Sequence, residues 1–171
     1  PGAVITVEHI ESGQTFTATT SSAGVAIFDA IPLGAYRIQE KTAPVGWQLD
    51  DTVYTATVVA GETTTIPIIN EELPGLRIIK YDRKNMVAMP NVTFAVYRDG
   101  KFLGNFKTDQ FGEILLTNVE PGTYRAFEVD TGDEGHILDT TPQEVELHAG
   151  DGIKELLFFN DVKPGLRLVK V

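Results

Sequence analysis

Short runs in which apolar and polar residues alternate cover most of the chain, and their apolar positions are rich in Val, Ile, Phe and Tyr. A period of two puts every second side chain on one face of an extended backbone, so these runs predict β-strands. In the longest regular stretch they fall near 75–82, 92–98, 101–108, 112–118, 122–129, 142–147 and 152–160, separated by Gly, Pro, Asn and Asp. Arg98-Asp99-Gly100-Lys101 predicts a two-residue hairpin, because Asp-Gly takes the positive φ such turns need. Asp109 to Gly112 predicts a second turn. No segment keeps a helical period over the ten or more residues a helix requires. Evenly spaced strands with these turns predict an all-β fold of Ig-like sandwiches.

The pattern repeats. PGLRIIK at 74–80 returns as PGLRLVK at 164–170, 90 residues further on. Each follows an apolar run ending in asparagine, IPIIN (66–70) and LLFFN (156–160), and GAYRIQE (34–40) returns as GTYRAFE (122–128). A repeat of that length is a domain rather than a solenoid unit. Aligning the copies places Pro1 opposite Pro90, Glu40 opposite Glu128 and Asn70 opposite Asn160. The expected organisation is therefore a unit at 1–73 without the counterpart of 76–89, a complete unit at 74–163, and at 164–171 the first strand of a further repeat.

Composition narrows the function. There is no cysteine, which excludes disulfides and thiolate metal sites. A net charge of −10 argues against nucleic-acid phosphates and anionic lipid as partners. No apolar run approaches the roughly 20 residues that span a bilayer. The N-terminal residues lack a signal-peptide pattern, so an exported protein is expected here as a processed or excised piece.

Strand parity points to the chemistry. Lys80 shares a face with Leu76 and Ile78, opposite Arg77 and Tyr81. Asn160 falls with Leu156 and Phe158, and Glu128 with Tyr124 and Ala126. Glu40 in the first copy falls with Tyr36 and Ile38. An isolated charge on an apolar face costs several kcal/mol, so such groups neutralise or find partners. Desolvation favours a neutral lysine amine, which is a nucleophile, and the asparagine carboxamide carbon is its natural electrophile. A glutamate beside them can carry protons as ammonia leaves. The expected product is a Lys80–Asn160 isopeptide bond, made once and without a cofactor, so the chain is not an enzyme in the ordinary sense. The bland alternatives are a snorkelling lysine and a turn-capping asparagine.

Other motifs are weaker. His9, His136 and His148 have no metal-ligand spacing, and Asp130, Asp133 and Glu134 read as a solvated loop rather than a calcium site. Asn91-Val92-Thr93 matches a glycosylation sequon, a pattern that arises often by chance. No phosphate loop, metalloprotease helix or nucleophile elbow is present.

The segments IIKYD (78–82), NVTFAVY (91–97), KTDQFGEI (107–114), VEPGTYRAFE (119–128) and FFN (158–160), with IPLGAYRIQEKTAPVGW (31–47) in the first copy, resemble tandem Cna protein B-type domains. These are the prealbumin-like, SpaA-type repeats of Gram-positive surface adhesins and pilins. The resemblance covers essentially the whole chain. It implies that Lys80 and Asn160 are the bonded pair and Glu128 its catalyst, with Glu40 and Asn70 as the matching parts of the first unit. Copy two reads EVDTGDEGH (128–136) where copy one has EKTAPVGW (40–47), a departure that puts loop-borne ligand binding in doubt.

The expected role is a stalk or pilus-like segment on the cell-wall-anchored exterior of a Gram-positive bacterium, with neighbouring repeats as partners. The rival is an adhesin module that grips host matrix protein or glycan through sandwich-end loops, for which Trp47 is the aromatic candidate. One further expectation concerns residues 165–171. Leu166, Leu168 and Lys170 share a face, so strand donation to Asn70 of another chain, sealed by a Lys170–Asn70 bond, is a reading beside the simpler one that the tail opens a third unit.

Overall fold

The computed structural model describes residues 1–170, and no helix occurs among them. Eleven strands follow in chain order: β1 (Val4–His9), β2 (Thr15–Thr19), β3 (Gly34–Thr42), β4 (Tyr54–Val58), β5 (Gly75–Asp82), β6 (Thr93–Arg98), β7 (Lys101–Lys107), β8 (Glu113–Leu116), β9 (Gly122–Asp130), β10 (Gln143–Leu147) and β11 (Ile153–Asn160). They divide between two compact units, one covering Pro1–Glu72 and the other beginning at Leu73. The fold is all-β.

The second unit is a sandwich of two sheets. One has the strand order β10-β9-β6-β7 and the other β11-β5-β8. Its core interleaves Leu76 and Ile78 of β5, Phe94 and Val96 of β6, Ile114 of β8, Tyr124 and Ala126 of β9, and Leu156 and Phe158 of β11. Full burial of each large apolar side chain contributes roughly 1.5–3 kcal/mol, so this interior is the main source of the unit's stability. The predicted hairpin joins β6 to β7: Arg98 pairs with Lys101, and Asp99 and Gly100 take φ of 50° and 78°. The first and last strands of this unit are parallel neighbours, with Ile78 opposite Leu156, Lys80 opposite Phe158 and Asp82 opposite Asn160.

The first unit contains one sheet only, in the order β2-β1-β3-β4. Its inward face carries Ala3, Ile5, Val7, Tyr36 and Ile38, against which Ala26, Phe28, Ile66 and Ile68 pack half-buried. Residues 25–29 and 62–70 occupy the places that β8 and β11 hold in the complete unit, yet form no strand. No described residue of the first unit stands in the place of β5, so these two segments have no central strand to pair with.

Both units close one loop the same way. The Tyr36 hydroxyl donates to the Pro32 carbonyl and that of Tyr124 to the Glu120 carbonyl, each at 2.8 Å. This contact fixes the turn entering β3 and β9, the strands that carry the two glutamates.

Candidate functional site

Parallel pairing brings the C-terminal ends of β5 and β11 side by side, and β9 crosses them on the facing sheet. Lys80, the sixth residue of β5, points inward because Leu76 and Ile78 do. Asn160 ends β11 on the same inward parity as Leu156 and Phe158, and Glu128 on β9 follows Tyr124 and Ala126 inward. All three side chains are buried, at 0, 1 and 0% exposure for Lys80, Asn160 and Glu128. Glu128 reaches them from the opposite sheet rather than from a strand lying between them in one sheet.

The three groups form a closed triangle. Lys80 Nζ donates to Asn160 Oδ1 at 2.6 Å and lies 2.7 Å from Glu128 Oε2. Asn160 Nδ2 donates to Glu128 Oε1 at 2.7 Å. The Lys80–Glu128 approach is a charge contact rather than an aligned hydrogen bond, and Oε2 has no other partner. Two phenyl rings wall the site. Phe94 stands opposite Glu128 in the β6–β9 pairing, Phe158 stands opposite Lys80, and their centroids are 4.8 Å apart. Lys80 Nζ lies 6.0 Å from the Phe94 centroid.

Burial lowers the Lys80 pKa from the ordinary lysine value, and the Glu128 carboxylate opposes that shift without cancelling it. The neutral amine is thereby favoured relative to a lysine in water. Glu128 touches both the incoming amine and the nitrogen that would leave, one with each oxygen. That arrangement can pass a proton from one nitrogen to the other through a single carboxylate.

The first unit holds a partial copy. Glu40 is buried, and its Oε2 accepts from Asn70 Nδ2 at 2.6 Å and from the Asp50 amide at 2.9 Å. Asn70 Nδ2 also donates to the Gln48 carbonyl at 2.8 Å. Glu40 Oε1 is buried with no partner, and no described lysine of this unit reaches it. Lys170 is exposed in a segment, 164–170, that forms no strand within the chain although its sequence repeats that of β5.

The remaining candidates lie outside the triangle. The buried His9 ring contacts Ser12 Oγ at 2.8 Å and the Leu33 carbonyl oxygen at 3.0 Å. His136 bridges Asp133 and Asp82, at 2.8 and 3.3 Å, and His148 sits beside Glu146 and Asp151. Asp130 accepts from the Gly132 amide and Asp133 from those of Gly135 and His136, so the acidic run is turned on its own backbone. Among the described residues no group of His, Asp and Glu is arranged to hold a metal ion. Asn91 is exposed at φ 63°, within a turn. Trp47, the candidate for loop-borne binding, lines the open groove of the first unit. Parity in the sequence located the triangle but not its walls, although Phe94 is inward by the same rule. The Asp82–His136 link joins residues far apart in sequence and has no local signal.

The family profile of the SpaA prealbumin-like fold domain matches residues 1–72 and 74–161. Among solved structures, the TIE protein of Bacillus anthracis is similar at 28% identity over 94% of this chain, with a TM-score of 0.50. The chain spans 31% of the length of that structure. The shaft pilin SpaA of Lactobacillus rhamnosus GG is similar at 14% identity over 97% of this chain and 86% of its own, with a TM-score of 0.58, a likeness of fold. No curated protein sequence matches. With both units matched, the chain belongs to the SpaA prealbumin-like fold domain family.

Proposed function

We propose that this chain is a structural segment of a bacterial surface or pilus-like protein, and that its complete unit is sealed by a Lys80–Asn160 isopeptide bond promoted by Glu128. The observation that carries this reading is the buried triangle of Lys80, Glu128 and Asn160 between two phenyl rings. The neutral Lys80 amine attacks Asn160 Cγ, the Cγ–Nδ2 bond breaks, and ammonia leaves. Glu128 takes at Oε2 the proton that Nζ gives up and passes it to Nδ2 as ammonia leaves, so the carboxylate ends as it began and no cofactor is consumed. Family membership and the likeness to a shaft pilin support the structural role, and extracellular placement on a Gram-positive surface follows from it.

Such a bond would have a mechanical purpose. Tension entering at the start of β5 and leaving at the end of β11 would shear two parallel strands apart. With Lys80 joined to Asn160, the load passes from β5 into the last residue of β11 and bypasses the residues between. Closing a loop of about 80 residues also contributes about 4.5 kcal/mol on the chain-entropy relation for crosslinks.

Intact mass tests the reading. The unit should weigh one ammonia less than its sequence, and Lys80→Ala should restore the full mass at this site. A wild-type peptide map that contains free Lys80 and free Asn160 would overturn it.

A further inference from the structure

The turns that lead into β4 and β10 repeat one another. Leu49-Asp50-Asp51-Thr52 in the first unit returns as Leu138-Asp139-Thr140-Thr141 in the second. Each aspartate accepts from the threonine amide two residues on, at 3.0 Å for Asp50 and 2.9 Å for Asp139. In the first unit the Asp50 amide also donates to Glu40 Oε2 at 2.9 Å, so this turn packs against the buried glutamate. In the second unit the same stretch is tied to the end of β11, where the Ile137 amide donates to the Asp161 carbonyl at 2.8 Å.

Arg83 reaches that end from β5. Its amide donates to the Asn160 carbonyl at 2.9 Å, its Nε lies 3.3 Å from Asp161 Oδ1, and its guanidinium stands 5.3 Å from the Phe159 centroid. A cation and an anion thus flank the end of the site that holds Asn160, and the proton path through Glu128 uses neither.

We propose that Arg83 and Asp139 are opposed charges at the outer end of the crosslinking site that set how readily Lys80 seals to Asn160, Arg83 favouring the reactive neutral amine and Asp139 the ammonium. The inference rests on the chemistry proposed for Lys80, Glu128 and Asn160, and concerns its control.

The charged groups around Lys80 come from several elements. Glu128 faces it from β9, Asp139 from the turn before β10, and Arg83 from beyond the end of β5. Asp82 shares its parity on β5 but is engaged by the Lys84 amide and His136, and Asp161 is paired with Arg83. Burial lowers the Lys80 pKa and Glu128 opposes that shift; of the two remaining charges, Asp139 opposes it as well and Arg83 adds to it. Asp139 is itself held in its charged form, first by Thr141 and then by Lys80 and Arg83. Neither residue touches the reacting atoms, so both act through their field at Nζ. Arg83 is exposed and Asp139 half-buried, so water screens them and they tune the rate rather than switch it. Only the neutral amine attacks Asn160 Cγ, and below the lysine pKa the rate follows the neutral fraction.

The test starts sealing at a chosen pH. The full chain made with a photocaged lysine at position 80 cannot seal. Light frees the amine in denaturant, dilution into a pH series lets the chain fold, and intact mass follows the loss of one ammonia. Asp139→Asn should move the half-maximal rate to lower pH and Arg83→Gln to higher pH. Below the wild-type midpoint the first should seal faster and the second slower, each by about two- to fivefold, the size of a partly exposed charge interaction. Losing Arg83 also frees Asp161, which acts in the same direction. The charge-preserving Asp139→Glu and Arg83→Lys should stay near the wild-type midpoint although their packing changes. Coincident profiles overturn the proposal, and so do two shifts in the same direction, which would mean damage to the fold. A wild-type chain that folds without losing ammonia overturns the crosslink and this inference with it. One that seals while all variants keep its profile leaves the crosslink standing and removes only the control by Arg83 and Asp139.

Discussion

Lys80 and Asn160 are diagonal neighbours: the residue facing Lys80 across the parallel ladder is Phe158, and Asn160 lies two positions beyond it on the same face. The diagonal lets a long lysine side chain reach forward to the carboxamide, with Nζ 2.6 Å from Oδ1. A shift of one residue would turn Asn160 out of the interior and present Phe159 instead. The site thus depends on register as much as on residue identity.

That geometry predicts the behaviour of Asn160→Asp. The new carboxyl group would sit beside Glu128, and two carboxylates at that distance hold a proton between them. A protonated Asp at this position is still an electrophile, and its leaving group is water. Intact mass should therefore show a deficit of one water in place of one ammonia. Full retention of mass would mean that the carboxamide nitrogen is essential to the reaction.

Glu128→Gln should fold and fail to crosslink. The amide keeps the shape of the side chain but cannot relay a proton between Nζ and Nδ2. It also leaves Lys80 buried without its counter-charge, and breaking a buried pair by removing one partner costs about 3–5 kcal/mol. Thermal melting should accordingly fall further for Glu128→Gln than for Asn160→Ala, which loses the bond but keeps the Lys80–Glu128 pair. Equal losses would contradict the assignment of Glu128 as the partner that neutralises Lys80.

The alternation of the sequence carried both the strand positions and the inward parity of Lys80, Glu128 and Asn160, because parity is local. It carried neither the parallel pairing of β5 with β11 nor the position of Glu128 on the facing sheet, since which strands meet depends on the path of the whole chain. Residues 62–70 illustrate the limit in the other direction. Ile66 and Ile68 alternate as a strand should, yet no strand forms, because a ladder needs a neighbour and the described first unit supplies none there. Pattern marks what a segment can become, and pairing decides whether it does.

Tyr124→Phe should cost about 1 kcal/mol, the net value of one hydrogen bond, with a further penalty from leaving the Glu120 carbonyl without its partner. Because the ring itself remains, the loss isolates the 2.8 Å contact that fixes the turn before β9. Chemical denaturation should show a lower midpoint with an unchanged slope. The crosslink should still form, since Glu128 lies beyond the turn on a strand held by β6 and β10.

His136 should make the stability of the second unit depend on pH. Burial lowers its pKa, but hydrogen bonds to Asp133 and Asp82 more than offset burial, and the net shift is upward from 6.5. Asp82 is shifted downward, first by the Lys84 amide and also by His136; Asp133 is shifted downward because His136 and its own backbone contacts outweigh burial. A raised histidine stabilises the fold fully below its unfolded value and loses that contribution as pH climbs through the higher folded one. The lowered aspartates contribute above their unfolded value of 3.8 and lose it as pH falls through their folded values. The cluster is therefore strongest between about pH 4 and 6.5, where all three groups are charged. It ties the loop after β9 to the end of β5, two residues beyond Lys80. The stability gap between the wild type and His136→Gln should be widest near pH 5.5 and shrink by pH 8.5, measured by denaturant melts at each pH. A gap that stays constant or widens towards alkaline pH would mean that the neutral ring, through packing alone, accounts for the contact.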